Sequence, residues 1–436
     1  MAFDVILIVG SRVMNNDYGH TLPIGAIYNK LLNKCDMKVC NVEDGSSKIP
    51  EAKFYGISAY YHEWDRTQKI IEKLKSKYPK STVIVGGCFA TAFPEMILEC
   101  SFVDYVCLGE GAFTMEKLVL KNIPPESIPN IQSRTKKGIL DIYEIADCSN
   151  IIRENIKGTW RNVWLPTMRG CPFKCSYCSA SASEFMSRNF FYPINQIEKD
   201  VEFLSQNQEN FQHVFFTSAN GWLPSLDSFV RSVLDLFVKY KVYVPICFMI
   251  RPECCVHSKF RKLLSDYSSL RFGLYTGVEN FDDKILADFN KGYTAQRVYS
   301  WLTEIAKYDN VDMLMVNLIV DTPKENAESI QINKYWVQKI YKDIFNKEEY
   351  LPKNYAFSSA TSIIPLPGTK YFGYQKTNIY IGLQRLPDDE NEKRKNIHFG
   401  LQRIINEENE KRKNLILSKG ISSKMLLIQR EKNLMI

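Results

Sequence analysis

Residues 167–178 read TMRGCPFKCSYC, which places Cys171, Cys175 and Cys178 within one short segment. Three thiolates this close together, with no fourth cysteine beside them, suit an iron–sulfur cluster that keeps one iron free of protein ligands. A zinc site would need a fourth Cys or His at similar range, and the nearest downstream histidine is His213. Zinc binding and three unrelated structural thiols are the alternatives. The segment therefore predicts a cluster with one open coordination position.

The residues around these cysteines resemble those of the radical S-adenosylmethionine (SAM) superfamily. An Arg-Gly pair precedes the first cysteine, a proline follows it, and Tyr177 precedes the third. In that superfamily three cysteines hold a [4Fe–4S] cluster, and the amino and carboxylate groups of SAM chelate the fourth iron. The resemblance implies that Cys171, Cys175 and Cys178 bind the cluster and that Tyr177 contacts SAM.

The composition is that of an ordinary globular protein. The chain has 436 residues, enough for two domains with a short tail, and 45% of them are hydrophobic and 24% charged. No apolar run is long enough to cross a bilayer, and the start lacks the features of a secretory signal. We therefore expect a cytoplasmic protein whose 12 cysteines stay reduced. The net charge of +7 is mild, so we expect neither a membrane nor a specific nucleic acid as partner.

Short β-branched runs alternate with helical periodicity over residues 1–135, which predicts a parallel sheet covered by helices. Ligands of such sheets bind beyond the carboxyl ends of the strands, where glycines let the backbone approach a ligand. The strands are predicted at residues 5–9, 38–42, 54–58, 82–85 and 102–107. The residues predicted on the ligand-binding rim are Ser58, Gly86, Gly87, Gly109, Glu110 and Gly111.

This pattern resembles the Rossmann-like, cobalamin-binding-type domain that precedes the barrel in one class of radical SAM enzymes. The resemblance implies a doubly wound α/β sheet over residues 1–135 and assigns the rim residues to cobalamin. Some cobalamin proteins supply a histidine to cobalt through an Asp-x-His-x-x-Gly pattern, but Tyr18 stands where His20 would need the aspartate. His20 is therefore interpreted as a loop histidine. Members of this class bind cobalamin without a histidine or lack it altogether, so the sequence leaves cobalamin binding open.

Strand and helix patterns resume around the cluster segment, after an irregular polar linker at residues 136–160. Six strands separated by helices over residues 161–375 predict a partial (β/α)6 TIM-type barrel, open on one side. Working residues of such barrels come from the carboxyl ends of the strands. The strands are predicted at residues 164–168, 213–217, 242–250, 270–277, 311–320 and 357–364.

Two strand ends of this barrel resemble family motifs that bind SAM. The fourth strand ends in GVEN at residues 277–280, where the family has Gly-x-Glu-Ser, and the motif implies that Glu279 faces SAM. A helix N-cap made by the asparagine or by Asp282, with the glutamate in solvent, is the alternative. The third strand ends in Arg251-Pro-Glu253. The resemblance pairs this arginine with the carboxylate of SAM and this glutamate with its ammonium, and a surface ion pair is the alternative.

Other strand ends depart from the family pattern. The second strand ends in Ser218 and Asn220 in place of acidic residues, so neutral oxygens would accept from the SAM ammonium. Asp321 replaces the glycine of Gly-x-Pro-x-Glu after the fifth strand, where it would crowd the adenine end of the site. Asn317 would point inward from the same strand. The Pro-Gly-Thr turn of the family is kept at residues 367–369.

The positions of the cysteines outside the cluster segment argue against two kinds of radical SAM enzyme. No cysteine follows Cys255, which argues against auxiliary clusters at the C-terminal end. Cys247, Cys254 and Cys255 are predicted to be buried structural thiols. The cysteines before residue 150 are scattered, unlike the clustered triad of tRNA methylthiotransferases.

Residues 376–436 are predicted to form a charged helical tail that contains a repeat. GLQR at residues 382–385 recurs at 400–403, and ENEKRKN at residues 390–396 recurs at 408–414. The offset of 18 residues equals five helical turns, so both copies would present one face. The charged blocks predict an exposed helix pair or a partly disordered arm.

These observations lead to two hypotheses. The first is an enzyme that reductively cleaves SAM to a 5′-deoxyadenosyl radical and, with cobalamin, methylates an unactivated carbon of a natural product or peptide. It would take its electron from a one-electron reductant such as flavodoxin or ferredoxin. Without cobalamin, the outcome would be rearrangement, cyclisation or epimerisation. The second hypothesis is a non-catalytic cobalamin or metal sensor, which the altered strand ends favour.

Overall fold

The computed structural model describes residues 2–9, 22–41, 49–140, 162–178, 180, 189–363, 369–371 and 388–419. His20, most of the predicted linker and the Pro-Gly pair at 367–368 lie outside these residues. The chain divides into two compact units. The first contains residues 1–166, 183–185 and 190–211, and the second contains residues 167–182, 186–189 and 212–436.

A six-stranded sheet forms the centre of the first unit. Its strands are β1 (Phe3–Val9), β2 (Met37–Asn41), β3 (Ala52–Ser58), β4 (Thr82–Gly86), β5 (Tyr105–Cys107) and β6 (Ile131–Gln132). Its helices are α1 (Leu22–Leu31), α2 (Trp64–Lys77), α3 (Cys88–Ala92), α4 (Pro94–Leu98) and α5 (Gly111–Val119). The strand order is β2-β1-β3-β4-β5-β6, in which the first five strands are parallel and β6 is antiparallel to β5.

Both faces of this sheet are buried, which explains why β1 is apolar at consecutive positions. Ile6 and Ile8 of β1 belong to a core cluster that includes Ile71 of α2. The alternate residues, Val5 and Leu7, belong to a second cluster with residues of α1 and α5. The sheet is therefore doubly wound and Rossmann-like, as the sequence predicted.

The strand order determines where a ligand can bind. In an open parallel sheet the binding crevice lies beyond the carboxyl ends of the strands where the winding direction reverses. In this sheet the reversal occurs between β1 and β3, and Ser58 is the last residue of β3. The predicted rim therefore begins at the point where this topology expects a ligand.

A second six-stranded sheet has the order β14-β13-β12-β11-β10-β7, and its strands from β10 to β14 are parallel. The sheet does not close into a complete barrel among the described residues, in agreement with the predicted open barrel. The strands after β6 are β7 (Asn162–Leu165), β8 (Met168–Arg169), β9 (Phe190–Phe191), β10 (His213–Phe216), β11 (Ile246–Ile250), β12 (Phe272–Glu279), β13 (Val311–Val320) and β14 (Asn354–Ser362). The helices are α6 (Ile194–Ser205), α7 (Asp227–Lys239), α8 (Pro252–Cys255), α9 (Ser258–Asp266), α10 (Asp283–Asp288), α11 (Ala295–Ile305), α12 (Ala327–Ile340), with a π-helical turn at Tyr341–Phe345, and α13 (Asp388–Ser418).

Two predicted strands have different bounds in the structure. The strand predicted at residues 164–168 ends at Leu165, and β8 instead pairs with β9 in a separate two-stranded sheet. Pro166 lies at the break, where its missing N–H interrupts the ladder. The strand predicted at residues 242–250 begins only at Ile246, because the N–H of Val242 still bonds to the end of α7.

The charged tail packs against β14 and α12, so the prediction of an exposed helix pair or disordered arm was wrong for the second copy of the repeat. Leu401, Ile405 and Ile416 are buried. Arg412 is also buried, and its guanidinium donates to the carbonyls of Tyr350 and Lys353 at 2.9 and 2.8 Å. Burial lowers the pKa of Arg412 to about 10. The charged residues of this helix therefore include docking contacts that composition alone does not reveal.

The outer edge of β14 is occupied by side chains. Phe357 donates its N–H to the hydroxyl of Tyr341 at 3.1 Å, and its carbonyl accepts from Nδ2 of Asn409 at 3.2 Å. Tyr341 also donates its hydroxyl proton to Asn409. The residues described include no helix long and apolar enough to span a bilayer.

Candidate cluster and cofactor sites

The three predicted cluster ligands lie on one loop of the second unit. Cys175 is buried, and Cys171 and Cys178 are partly buried. The N–H of Cys178 donates to the carbonyl of Cys175 at 3.1 Å, which folds the loop into a turn. Ser176, between them, donates its hydroxyl proton to the carbonyl of Asp288 at 2.6 Å. The loop is therefore anchored to the end of α10.

Two cations act on the thiol of Cys171. Burial raises the pKa of the Cys171 thiol, while the backbone N–H of Phe173 and the charges of Arg251 and Lys291 oppose that rise. Thiols must lose their protons to bind a metal, so neighbouring cations favour the ligating form. Arg251 and Lys291 thus partly offset the effect of burial at Cys171.

The donor set also fits such a cluster. No group of three or more Cys, His, Asp or Glu side chains within the described ranges converges closely enough to hold a single metal ion. A [4Fe–4S] cluster takes one thiolate per iron, so its ligands lie around it and need not meet at one point. Cys171, Cys175 and Cys178 are the residues that would hold it.

A buried carboxylate lies next to the cluster loop. Tyr177 donates its hydroxyl proton to Oε1 of Glu279 at 2.9 Å, and Nζ of Lys291 lies 3.5 Å from the same oxygen. Glu279 and Lys291 are only 9% and 4% exposed. Burial, followed by the charge of Glu279, raises the pKa of Tyr177 well above its usual value, so the hydroxyl keeps its proton. Asp282 does cap α10 by accepting from the N–H of Lys284, yet Glu279 is not in solvent as that alternative required.

The Gly-x-Glu motif has a steric explanation in this geometry. A Cβ on Gly277 would lie 2.3 Å from Oε1 of Glu279, because the carboxylate folds back over the glycine. Lys291 donates to the carbonyl of Gly277 at 2.7 Å and so stabilises the same turn. Glu279 itself has a φ of +75°, in the left-handed region that side chains disfavour. The motif therefore encodes a carboxylate held in one unusual orientation.

Arg251 and Glu253 form an ion pair with each other at the end of β11, as the alternative interpretation had it, but the guanidinium is largely buried. The guanidinium donates through Nε to Oε1 of Glu253, and the side chain of Arg251 is 11% exposed. Nη2 donates to the carbonyl of Lys291, and Nη1 lies 3.3 Å from Sγ of Cys175. Oε2 of Glu253 is buried and has no hydrogen-bond partner in the described part of the chain. This oxygen is an acceptor that a ligand could satisfy.

The remaining predicted SAM contacts lie at neighbouring strand ends. Ser218 donates its hydroxyl proton to the carbonyl of Asn220 at 2.9 Å. Asn220 accepts from the backbone N–H of Arg251 at 3.0 Å and so ties two strand ends together. Asn317 of β13 hydrogen-bonds to Ser358 of β14. The bonds of Ser218 and Asn220 stabilise loops at the strand ends, the bond of Asn317 joins two strands, and the contact of all three residues with SAM stays a prediction.

The predicted rim of the first sheet is also assembled. Ser58 and Gly86 are register partners at the ends of β3 and β4. Gly87 has a φ of +97°, and a Cβ there would lie 3.1 Å from Oγ of Ser58, so only glycine fits. Gly109 donates its N–H to Thr91 at 2.9 Å. Glu110 and Gly111 follow at the start of α5.

Comparison with known families is consistent with both sites. Residues 165–332 match the model of the radical SAM superfamily, and residues 47–119 match the model of the B12-binding domain. The chain combines a radical SAM domain with a B12-binding domain. The first match contains the three cysteines and all the predicted SAM contacts, and the second contains the predicted rim. These matches support a [4Fe–4S] cluster and SAM as cofactors of the radical SAM domain and cobalamin as the cofactor of the B12-binding domain.

Two curated relatives show the range of the sequence similarity. Bacteriochlorophyllide d C-8(2)-methyltransferase of Chlorobaculum tepidum is 24% identical over 351 residues, which cover 74% of this chain and 68% of that protein. The tRNA-2-methylthio-N(6)-dimethylallyladenosine synthase of Fervidobacterium nodosum is 22% identical over 289 residues, which cover 65% of this chain and 63% of that protein. For several such relatives the chain spans only 50% to 63% of the relative's length.

Two solved structures share the fold. TsrM, a radical SAM methyltransferase from Kitasatospora setae solved with tryptophan and a SAM analogue, gives a TM-score of 0.62 at 12% identity, covering 86% of this chain and 76% of that one. OxsB, a cobalamin-dependent SAM radical enzyme solved with aqua-cobalamin and SAM, gives a TM-score of 0.62 at 14% identity, covering 86% and 60%. At these identities the likeness concerns the fold.

The structure shows two contacts in the radical SAM domain that sequence reasoning did not assign. Lys291 lies in the segment FNKGYT, residues 289–294, which belongs to the same family signature as Glu279. That proximity was the available signal, but only the structure shows that Nζ of Lys291 faces the carboxylate. Arg251 and Cys175 are 76 positions apart in the sequence, so no local sequence pattern predicts their contact.

Proposed function

We propose that this chain is a radical SAM enzyme that methylates carbon with the help of cobalamin. The observation that carries the proposal is the hydrogen bond from Tyr177 on the cysteine loop to Glu279 at the end of β12. It joins, at one site, the thiols that suit a cluster and the carboxylate that suits SAM. The B12-binding domain in the same chain favours methylation over the other outcomes of radical chemistry.

The cofactors supply the reactive groups, and the protein supplies their positions. A reduced [4Fe–4S] cluster held by Cys171, Cys175 and Cys178 would supply the electron for the reductive cleavage of SAM, and cobalamin bound to the first unit would supply the methyl group. A flavodoxin- or ferredoxin-like reductant would deliver that electron. The low exposure of Glu279 and Lys291 excludes water from the side of the site that they form.

Two carboxylates would orient SAM. The unpaired Oε2 of Glu253 supports the proposal that it accepts from the SAM ammonium, with Ser218 and Asn220 nearby as neutral acceptors. The buried carboxylate of Glu279 would accept from the ribose hydroxyls, a role that a fixed, ionised acceptor performs well. Asn317 would line the same pocket.

For cobalamin, the proposed site is the rim of the first sheet. The rim lies beyond the carboxyl ends of β3, β4 and β5, beside the point where the strand order reverses. The hydroxyl of Ser58 and the glycine-rich backbone at Gly86, Gly87 and 109–111 would face the ligand.

The substrate is proposed to be a small molecule or peptide with an unactivated carbon. The names of the C. tepidum relative and of TsrM, a methyltransferase solved with tryptophan, support this class. A second candidate is methylthiolation of tRNA, because several relatives carry that name. The clustered N-terminal cysteines of tRNA methylthiotransferases have no counterpart here, because the cysteines before residue 150 are scattered along the sequence. Methylation of carbon is therefore the favoured reaction.

Anaerobic reconstitution with iron, sulfide, reductant and SAM tests the proposal. The wild-type protein should bind about four irons per chain, form 5′-deoxyadenosine or S-adenosylhomocysteine, and show the visible spectrum of cobalamin when that cofactor is added. The variant with Cys171, Cys175 and Cys178 changed to Ala should lose the iron and both products. A control variant with Cys35, Cys40 and Cys88 changed to Ala should keep them.

Each outcome separates the hypotheses. A loaded cluster without either product would indicate a sensor, and loss of iron from the control variant would indicate methylthiotransferase-like ligands in the first unit. Iron content unchanged in the Cys171, Cys175 and Cys178 variant would show that the cluster is held elsewhere.

A further inference from the structure

We propose that Arg251 is the hydrogen-bond donor to the cluster ligand Cys175 and that this contact raises the reduction potential of the cluster. The sequence assigned Arg251 to the carboxylate of SAM, which stays untested. Its observed contacts indicate a different role, because Nη1 lies 3.3 Å from Sγ of Cys175. This inference rests on the cluster assignment proposed above.

The guanidinium is fixed by partners that do not depend on any cofactor. Nε donates to Glu253, and Nη2 donates to the carbonyl of Lys291. With these two arms held, the planar group has only one direction left for Nη1, and Cys175 lies in that direction. The donor is therefore oriented before the cluster is loaded.

Aromatic rings hold the plane of the same group. The guanidinium carbon lies 4.1 Å from the centre of the Phe173 ring and 5.5 Å from that of Tyr293. Phe173 belongs to the cysteine loop itself, so the loop contributes both the acceptor sulfur and part of the surface that positions the donor. Arginine stacks on such rings better than lysine does, which explains why an arginine suits this position.

Burial makes the contact strong. Arg251 is 11% exposed in its side chain, and Cys175 is 8% exposed. Hydrogen bonds to a cluster sulfur, and positive charge near it, stabilise the reduced cluster more than the oxidised cluster, because reduction adds negative charge. In a site with little water these effects are poorly screened. The expected result is a higher potential and easier electron uptake.

Lys291 has a different task in the same region. Its Nζ donates to the carbonyl of Gly277 at 2.7 Å and lies 3.5 Å from the hydroxyl of Tyr177. Its contacts thus organise the strand end that holds Glu279. Arg251, by contrast, donates an N–H to a cluster cysteine.

The test is a redox titration of the reconstituted cluster without SAM, in which electron paramagnetic resonance measures the fraction of reduced cluster. Arg251→Gln should shift the midpoint potential of the cluster to more negative values. Arg251→Lys should give a smaller shift in the same direction, because lysine keeps the positive charge but lacks the planar guanidinium with its fixed N–H donors. The control is Arg231→Gln, which should leave the potential unchanged. The described ion pairs of Arg231 are with Asp227 and Asp266 and do not involve the cysteine loop. Wild-type potentials in both Arg251 variants would overturn the proposal.

A second measurement gives a decisive result with the wild-type protein alone. In protein labelled with ¹⁵N-arginine, pulsed electron paramagnetic resonance of the reduced cluster should detect a weakly coupled ¹⁵N nucleus, which Arg251→Lys removes and Arg231→Lys retains. Absence of that coupling in a cluster-loaded wild-type protein would overturn the proposal even if Arg251 variants do not fold. Failure of the wild-type protein to bind a cluster at all would instead refute the proposed function.

Discussion

At the scale of single residues, Asp321 shows what a motif glycine does. Asp321 stands where the family has glycine, and its φ of +57° lies in the left-handed region that glycine adopts without strain. Its N–H donates to Oε2 of Glu325, the glutamate of the same motif, whereas Oε1 of Glu325 is buried without a hydrogen-bond partner among the described residues. The aspartate therefore keeps the turn but adds a negative charge beside a buried carboxyl.

This arrangement predicts a pH-dependent stability. Burial, together with the charges of Asp321 and Asp282, raises the pKa of Glu325 from 4.5 to about 7. Between those values the folded chain holds a proton that the unfolded chain has lost, so the free energy of unfolding should fall as pH rises through this window. The loss should be at most about 3 kcal/mol.

Glu325→Gln removes this titration. Urea unfolding at pH 5.5 and 7.5 should show a smaller loss of stability in the variant than in the wild type, and the difference between the two proteins isolates Glu325 from other groups. Asp321→Gly should raise stability at both values of pH, because it relieves the strained backbone and removes the neighbouring charge. Equal pH dependence in wild type and Glu325→Gln would contradict the assignment.

Some residues of the site were predictable and others were not, for a physical reason. The spacing of the three cysteines indicates a cluster by itself, whereas Glu279 was predicted from the resemblance of GVEN at residues 277–280 to a family motif. Arg251 and Lys291 act through contacts with residues far away in sequence, and a local pattern contains no record of such a contact. Family resemblance assigned Arg251 to SAM, which stays a prediction, but it did not indicate the contacts of Arg251 with Cys175 and Lys291.

At the scale of elements, the helix α13 shows how a charged pattern can hide a docking surface. Periodicity predicted the helix, but the blocks of Glu, Lys and Arg suggested a solvated one. The structure buries Arg412 and Asn409 against backbone carbonyls, which a helix rich in polar residues can do only where another element presents unpaired groups. Strand bounds were less predictable for a similar reason, since Pro166 and the end of α7 interrupt apolar runs that look continuous.

Arg412 is expected to hold this helix on the second unit. Arg412→Ala leaves the carbonyls of Tyr350 and Lys353 without their charged donor and should lower the free energy of unfolding by about 3 kcal/mol. Arg403→Ala is the matched control on the same helix, because Arg403 is 80% exposed and pairs with Glu407, and it should have little effect. Urea unfolding compares the two, and equal stabilities would mean that the docking contacts contribute nothing.

At the scale of the whole molecule, the chain places each proposed cofactor with its own compact unit. The rim residues belong to the first unit, and the cysteine loop with its surrounding strand ends belongs to the second. The doubly wound order and the open sheet of six strands were both predictable, because alternating strand and helix patterns allow few other arrangements. The substrate was not, since its recognition depends on side chains that no motif specifies.

Hydrogen exchange should separate the two sites. Loading the cluster with SAM should slow the exchange of amides in residues 170–178 and 277–291, because ligands protect the segments that bind them. Cobalamin should slow exchange at residues 58–60, 86–91 and 109–111. Mass spectrometry of peptides from loaded and unloaded protein measures both effects. If cobalamin leaves the exchange rates of all three rim segments unchanged, the cobalamin site does not lie at the rim.

The side chains along β14 also bear on solubility. An outermost strand with bare amide and carbonyl groups is a template on which a foreign strand can grow, and such growth leads to aggregation. At Phe357 those two groups are taken by Tyr341 and Asn409. The helix α13 thus helps to cover the edge of β14 at Phe357, and proteolytic removal of α13 would leave the carbonyl of Phe357 open to pairing with another strand.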